Sequence, residues 1–410
     1  MRRSAGRASS NQGGAVADSG LGRRVKVLRR ARGWTQEGLA LRLHRSSSWV
    51  TKVERGVIAI DSVSTIRELA AVLGVSESQL TGESEDRPVA QQRPVSDLAR
   101  MLDRPASMLT GVTSETSVSH ADLVRAATAL RRTYNRSSTR YLSAAEMLPQ
   151  LISHAVELAE RSTTARLRAS AYTVLANLYR LGSLELRHRG DHVHARLALD
   201  RAAAAAQNAD DKVLVAAVTA TLCNELMIGG RPDDAASLAV DSADILAQQP
   251  PTVDAQHVLG VLRLYGAQAA ARAGAQSEAM ALLDAANQLA FTDADRHFLI
   301  FGPANTAVQR AGIFVDLGKP KQALDACAGL NGKELGSVNR ACYFHLHRAR
   351  AHTMAGDLDD ALAALTVAWR TTPHIVMADQ LGRQQVADLL DRKRTFSSEL
   401  RQIARGMGLL

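Results

Sequence analysis

Apolar residues recur at helical spacing along most of this chain, and the places where the pattern lapses divide it near residues 20, 82 and 119. Over residues 21–32 the apolar positions Leu21, Val25 and Leu28 share one face, and Gly33 stops the run. Thr35 offers a capping hydroxyl to a second helix over residues 36–43, with Leu39, Ala40 and Leu43 turned inward. A three-residue break leads to a third helix, Ser47–Glu54, whose core contacts are Val50 and Val53 and which Gly56 closes. A fourth helix, Val63–Leu73, ends at Gly74, and a short fifth covers residues 77–80. Residues 1–19 are rich in Ser, Gly, Ala and Arg without apolar period, which predicts a disordered basic arm. Residues 83–119 carry Ser, Thr, Pro and charge and read as a linker with one helix over residues 95–102, and residues 120–410 read as nearly continuous helix.

Within that body one signature repeats, a glycine followed five positions later by alanine: Gly190 and Ala195, Gly230 and Ala235, Gly274 and Ala279, Gly318 and Ala323, Gly356 and Ala361. Successive glycines lie 40, 44, 44 and 38 residues apart, each between two helix-length runs such as residues 213–228 and 233–246. Glycine permits a sharp turn between helices, and a small alanine lets the second helix approach its neighbour. Five such turns at near-regular spacing predict an α-solenoid.

Charge is placed unevenly. The net charge is +9, and residues 1–60 hold thirteen Lys/Arg against three Asp/Glu, so the whole excess sits at one end. That is the footprint of a head that binds a polyanion, since each neutralised phosphate releases counterions; a solvated basic tail is the competing reading. Aromatic residues are only 4% of the chain, which argues against a base-stacking platform for single strands. Three unpaired, widely spread cysteines (Cys223, Cys327, Cys342) read as free thiols of a reducing compartment. Neither a signal peptide nor an apolar run long enough for a membrane span is evident, so a cytoplasmic protein is expected.

The stretch from Trp34 to Gly56 resembles the lambda-repressor-like, or XRE-type, helix-turn-helix family. The resemblance rests on Thr35-Gln36-Glu37, Leu39-Ala40, Val50, Val53 and Glu54-Arg55-Gly56 and covers residues 21–82. One departure is His44, where the family has glycine in the turn. The resemblance implies a major-groove reader of double-stranded DNA. It assigns a phosphate contact to Gln36, base-edge contacts to Ser47, Ser48, Thr51 and Lys52 on the outward face of the third helix, and phosphate contacts to Arg45 and Arg55. Trp49 either packs at the junction of the second and third helices or meets a thymine methyl, and Glu54 with Arg55 suggests an ion pair plus a phosphate contact.

The body over residues 164–370 is similar to a tetratricopeptide repeat array, with periods longer than usual, and segments 120–161 and 375–405 are expected to cap it. The whole chain resembles actinobacterial XRE-type regulators with such bodies, and Phe301-Gly302-Pro303-Ala304-Asn305 resembles a stretch recurrent among them. In such arrays the first helix of each pair lines a concave groove. Counting back from each glycine, its stripe holds Asn177, Arg180 and Arg187, then Asn224 and Met227, then Gln268, Asn305, Tyr343 and Arg350. Amides and guanidinium groups in such a stripe suit a peptide or a small-molecule effector; an ordinary solvated face is the alternative.

Phosphate-binding loops, dinucleotide fingerprints, zincin motifs and nucleophile elbows do not occur. His188, His192 and His194 cluster near one turn, and Cys342, His345, His347 and His352 on one helix, without the shared face that a metal needs. No enzyme, metal or cofactor is therefore expected. The expectation is an all-α transcriptional regulator: a small five-helix lambda-repressor-like DNA-binding domain (residues 20–82), then a TPR-like α-solenoid that binds an effector or a protein partner and forms a homodimer on a double-stranded operator. A protein-interaction scaffold with a weakly specific head is the alternative from another class, and a peptide-pheromone receptor is a special case of the first.

Overall fold

The computed structural model describes residues 15–58, 60, 62–75, 77–81, 93–104, 118–136, 140–332, 335–393 and 395–410. Most of the arm and linker expected from the sequence, residues 1–14, 82–92 and 105–117, lie outside these described residues. The described residues are all-α apart from one short hairpin, and they fall into two compact units divided after residues 87 and 385.

The first unit contains α1 (Ala15–Ala31), α2 (Gln36–Arg42), α3 (Ser47–Glu54), α4 (Val63–Leu73) and α5 (Glu77–Thr81). Helix α1 begins six residues before the position read from the apolar pattern, so residues 15–19, assigned to the arm, are helical. Leu21, Val25, Leu28, Leu39, Ala40, Leu43, Val50 and Val53 are buried together with Leu69, Leu73 and Leu80, as the helical spacing requires. Arg24 ties the end of the five-helix unit back to its start, donating from Nε to the Leu80 carbonyl at 2.8 Å and from Nη2 to that of Thr81.

Residues 386–410 group with this unit rather than with residues 88–385. They comprise the end of α20 (Gln380–Arg392) and α21 (Ser398–Gly406). Ion pairs remote in sequence join them to α1. Arg23 pairs with Asp388 at 2.8 Å, Lys26 with Asp391 at 2.7 Å, and Arg30 donates to the Asp391 carbonyl at 2.7 Å.

The second unit opens with α6 (Arg93–Asp103), α7 (His120–Arg136) and α8 (Arg140–Arg161). Five helix pairs follow: α9 (Ala165–His188) with α10 (His192–Asn208), α11 (Lys212–Ile228) with α12 (Pro232–Ala247), α13 (Val253–Arg272) with α14 (Gln276–Asn287), α15 (Pro303–Asp316) with α16 (Pro320–Cys327), and α17 (Val338–Ala355) with α18 (Leu358–Thr371). A short α19 (Pro373–Ala378) comes next. Each of the five repeat glycines sits in the turn of one pair with positive φ, from 74° to 94°. Each alanine five positions on is fully buried where the second helix meets its neighbours. The repeat signature thus has a backbone cause and a packing cause.

Between α14 and α15 the helical pattern gives way to a hairpin, β1 (Ala294–Arg296) and β2 (Leu299–Phe301), antiparallel with Asp295 opposite Ile300. Its two turn residues, His297 and Phe298, both have positive φ (48° and 57°), the requirement of a tight type I′ connection. Gly302 follows with φ 148°, and a Cβ there would stand 2.4 Å from the Asp293 Cα, so the chain can enter α15 this closely only at glycine.

Candidate functional site

The helix-turn-helix is held by caps and by one buried polar node. The Thr35 hydroxyl accepts from the Gly38 amide at 3.0 Å at the start of α2, and the Ser46 hydroxyl accepts from the Trp49 amide at 3.1 Å at the start of α3. Between them His44 takes the left-handed conformation, φ 51°. At the far end of α3, Glu54 is buried and receives Arg29 Nε at 2.6 Å, Arg29 Nη2 at 3.0 Å and Gln36 Nε2 at 2.8 Å. The expected partner of Glu54 on its own helix, Arg55, is exposed; the ion pair runs to α1 instead.

With Val50 and Val53 fixed inward, α3 presents Ser47, Ser48 and Lys52 to solvent, and Arg55 stands exposed beyond its end. Thr51 is half-buried; its hydroxyl lies 2.9 Å from both Gln36 Oε1 and the Ser47 carbonyl, either of which can take its proton. Gln36 therefore spends its side-chain amide as a strut between α2 and α3, a use that sequence spacing does not reveal. Arg45 lies over the Trp49 ring at 5.4 Å, and Trp49 packs against the core of the unit while remaining partly accessible. The exposed face of α3 is thus made of small hydroxyls and one lysine, groups short and flexible enough to reach base edges without steric obstruction.

The repeat body encloses a cavity of about 200 Å³. Of the nine groove residues expected from the stripe, Arg180, Arg187, Asn224, Gln268, Asn305 and Tyr343 line it together. Asn177 stands behind it, its amide oxygen accepting from Arg180 Nη1 at 3.0 Å. Arg350 is directed elsewhere, to Asp316 at 2.7 Å, a carboxylate that Arg272 also reaches at 3.2 Å. Burial alone would raise the Asp316 carboxyl, but Arg350 and Arg272 outweigh it and hold it below the ordinary aspartate value.

Other lining residues lie off the expected stripe. Arg131 and Asn135 come from α7, where no repeat glycine sets a register, and Arg340 stands one turn before Tyr343 on α17. Extending the stripe by one turn would have found Arg340; nothing in the pattern marks Arg131. The hairpin turn is gripped by these cations: Arg131 Nη2 donates to the Phe298 carbonyl at 2.7 Å and Arg180 Nη1 to that of His297. Asn305 Nδ2 donates to the Ile300 carbonyl at 2.9 Å, and His257 Nε2 lies 2.9 Å from the carbonyl of Leu299.

The histidine clusters are dispersed into separate contacts. His188 Nδ1 is 3.2 Å from the Tyr134 hydroxyl, His192 is 2.7 Å from Glu225, and His194 lies between Asp191 and Asp103. Among the described residues no group of three or more metal-ligating side chains converges, and no helix is long and apolar enough to cross a membrane. The three cysteines are free and buried; burial pushes Cys223 up to about 12 and Cys327 up to about 11, which makes both poor nucleophiles.

Residues 20–81 match the helix-turn-helix domain family. None of the curated proteins matches the chain. Among solved structures it is similar to Bacillus thuringiensis PlcR in complex with the peptide PapR7 and DNA, with 13% identity over 84% of this chain and 99% of that one, at a TM-score of 0.31. It is also similar to the apo form of ComR from S. thermophilus, with 14% identity over 84% of this chain and 100% of that one, at a TM-score of 0.27.

Proposed function

We propose that this protein is a sequence-specific, double-stranded DNA-binding transcriptional regulator of the XRE type, acting in the cytoplasm. The observation that carries the reading is the division of α3 into a buried face, Val50 and Val53, and an exposed face of Ser47, Ser48 and Lys52 within a matched helix-turn-helix domain. Lys52 is suited to guanine O6 and N7, the hydroxyls to either partner of a base pair, and Arg45 and Arg55 to flanking phosphates. Gln36 acts by fixing α3 against α2. The excess positive charge of residues 1–60 supports the affinity that any sequence would receive.

In this reading the repeat body is the sensor. Its cavity takes a peptide, small-molecule or protein-borne effector, with Arg180, Asn224, Gln268, Asn305 and Tyr343 as contacts, and its occupancy shifts the population between two arrangements of the heads of a homodimer. Selection of bound sites from a random duplex library tests the reading. A single enriched motif, two-fold related, that is lost in Lys52→Ala supports it, and a monomeric mass on DNA by light scattering counts against the dimer. Enrichment of no motif, with affinity that depends only on salt, overturns sequence-specific reading.

A further inference from the structure

The cavity of the repeat body carries more positive charge than its own carboxylates balance. Five arginines line it, Arg131, Arg180, Arg187, Arg272 and Arg340, against one carboxylate, Asp379. Four of the five have acidic partners within the body: Arg131 with Asp295 at 3.3 Å, Arg272 with Asp316, Arg340 with Asp293 at 3.8 Å, and Arg187 with Glu225 at 4.0 Å. Asp379 accepts from the Tyr343 hydroxyl at 2.5 Å.

Arg180 is the exception, and Arg340 is only partly satisfied. Arg180 is 2% exposed, and its partners are neutral: the Thr221 hydroxyl at 3.1 Å, the Asn177 amide oxygen and the His297 carbonyl. Arg340, 7% exposed, donates Nη1 to the Leu335 carbonyl at 3.0 Å and stands 3.8 Å from Asp293, a long contact to a half-exposed carboxylate. Its Nε and Nη2 are buried and have no hydrogen-bond partner among the described residues. A buried guanidinium cannot shed its charge as cheaply as lysine, so it requires either a counter-charge or a loss of stability. Burial, with repulsion from Arg131, pushes Arg180 down to about 9, and burial pushes Arg340 down to about 10 in spite of Asp293. Both groups sense the same neighbours, Arg131, Asp295 and Tyr265, and both face the same cavity.

We infer that this cavity is an anion site, and that its ligand is a compact molecule bearing carboxylate or phosphate groups that pair with the guanidinium groups of Arg340 and Arg180. A forked pair of guanidinium donors matches two oxygens of either group. Asn224, Gln268 and Tyr265 supply neutral donors around it, and a volume of about 200 Å³ favours a small metabolite-sized anion over a folded segment or a long peptide. The inference deepens the effector reading by naming the chemistry of the ligand, but its test reads binding without DNA. A protein that takes the anion and ignores every duplex fails the regulator reading and keeps this one; the reverse result separates them in the other direction.

The test is thermal unfolding and calorimetric titration of the full chain with citrate and, separately, with inorganic phosphate. Sodium chloride at matched ionic strength and glycerol serve as controls. A saturable rise in Tm with one of the two anions, beyond that of sodium chloride, is expected, and whichever acts identifies carboxylate or phosphate as the group. Arg340→Met removes the guanidinium whose Nε and Nη2 have no hydrogen-bond partner among the described residues. It is expected to melt at or above the wild-type temperature without ligand and to bind the anion about tenfold more weakly or worse, while Arg340→Lys retains part of the affinity. Arg340→Met that unfolds more readily without ligand marks a structural arginine and overturns the proposal. So does equal affinity in the variant, or the absence of a saturable shift with either anion.

Discussion

Arg29 of α1 and Glu54 at the end of α3 form a forked ion pair, Nε to Oε1 at 2.6 Å and Nη2 to Oε2 at 3.0 Å, in which both side chains are nearly removed from solvent. The pair fixes the angle of the exposed α3 face against the helix that crosses behind it, and Gln36 adds a third bond from α2. Glu54→Ala leaves the Arg29 guanidinium buried without its counter-charge. The expected loss is about 3–5 kcal/mol of stability in the first unit, several times the cost of breaking the exposed Arg45–Glu68 contact at 3.9 Å. Urea unfolding followed by the fluorescence of Trp34 and Trp49, in a Trp369→Phe background, measures it.

In the proposed reading Lys52 and Arg55 make two different kinds of DNA contact. Both are exposed, so alanine at either position is expected to change stability by no more than about 0.5 kcal/mol. Lys52→Ala is expected to cost about 1–3 kcal/mol on the selected site and little on unrelated duplexes, relaxing the preference at one base pair. Arg55→Ala is expected to weaken binding to all duplexes alike and to reduce the salt slope by about one. Fluorescence anisotropy across a series of salt concentrations distinguishes the two, and equal losses on every sequence for both variants would refute the base-edge role of Lys52.

The first unit was legible because its signals are local. Thr35, Gly56 and Gly74 mark helix ends, and Leu39, Val50 and Val53 recur at the spacing that packing demands. The five Gly–Ala turns were legible for the same reason, each being a backbone requirement and a packing requirement a few residues apart. The hairpin was not. His297 and Phe298 adopt positive φ without the Asn-Gly or Asp-Gly signature of such turns, and are stabilised instead by Arg180 and Arg131, more than a hundred residues away. Arg340 in the cavity and the pairing of Lys26 with Asp391 depend likewise on tertiary neighbours that periodicity cannot name.

His44 stores strain in the turn between α2 and α3. An exposed histidine at φ 51° pays the steric penalty of the left-handed region, which glycine does not. His44→Gly is therefore expected to stabilise the first unit by roughly 0.5–1 kcal/mol after the greater freedom of glycine in the unfolded chain is deducted. The same urea experiment reads this shift. Affinity for DNA should hold, because the backbone of the turn already has the conformation that glycine prefers; a drop in affinity at unchanged stability would instead assign the imidazole to the DNA contact.

Two histidines of α17 give the body a pH dependence with a defined sign. Burial, aided by Arg350 and Arg272 against Asp316, pushes His347 down to about 3, and burial with Arg348 pushes His345 down to about 4. In the unfolded chain both imidazoles titrate near 6.5. Below that pH the unfolded chain binds protons that the folded chain does not, so stability falls as pH drops from about 6.5 toward 4 and is complete above that window. Asp316 acts in a lower window: its carboxyl is depressed in the fold, so its contribution is present above the ordinary aspartate value and is lost as pH falls through the depressed one. His347→Gln, neutral at every pH and close in size, is expected to reduce the slope of unfolding free energy between pH 6 and 4 by about 1.4 kcal/mol per pH unit, one proton's share. Urea unfolding of the body at half-unit pH steps measures the slope. A variant with the wild-type slope would show that His347 takes up its proton in the fold as readily as in the open chain, and that its burial does not hold it neutral.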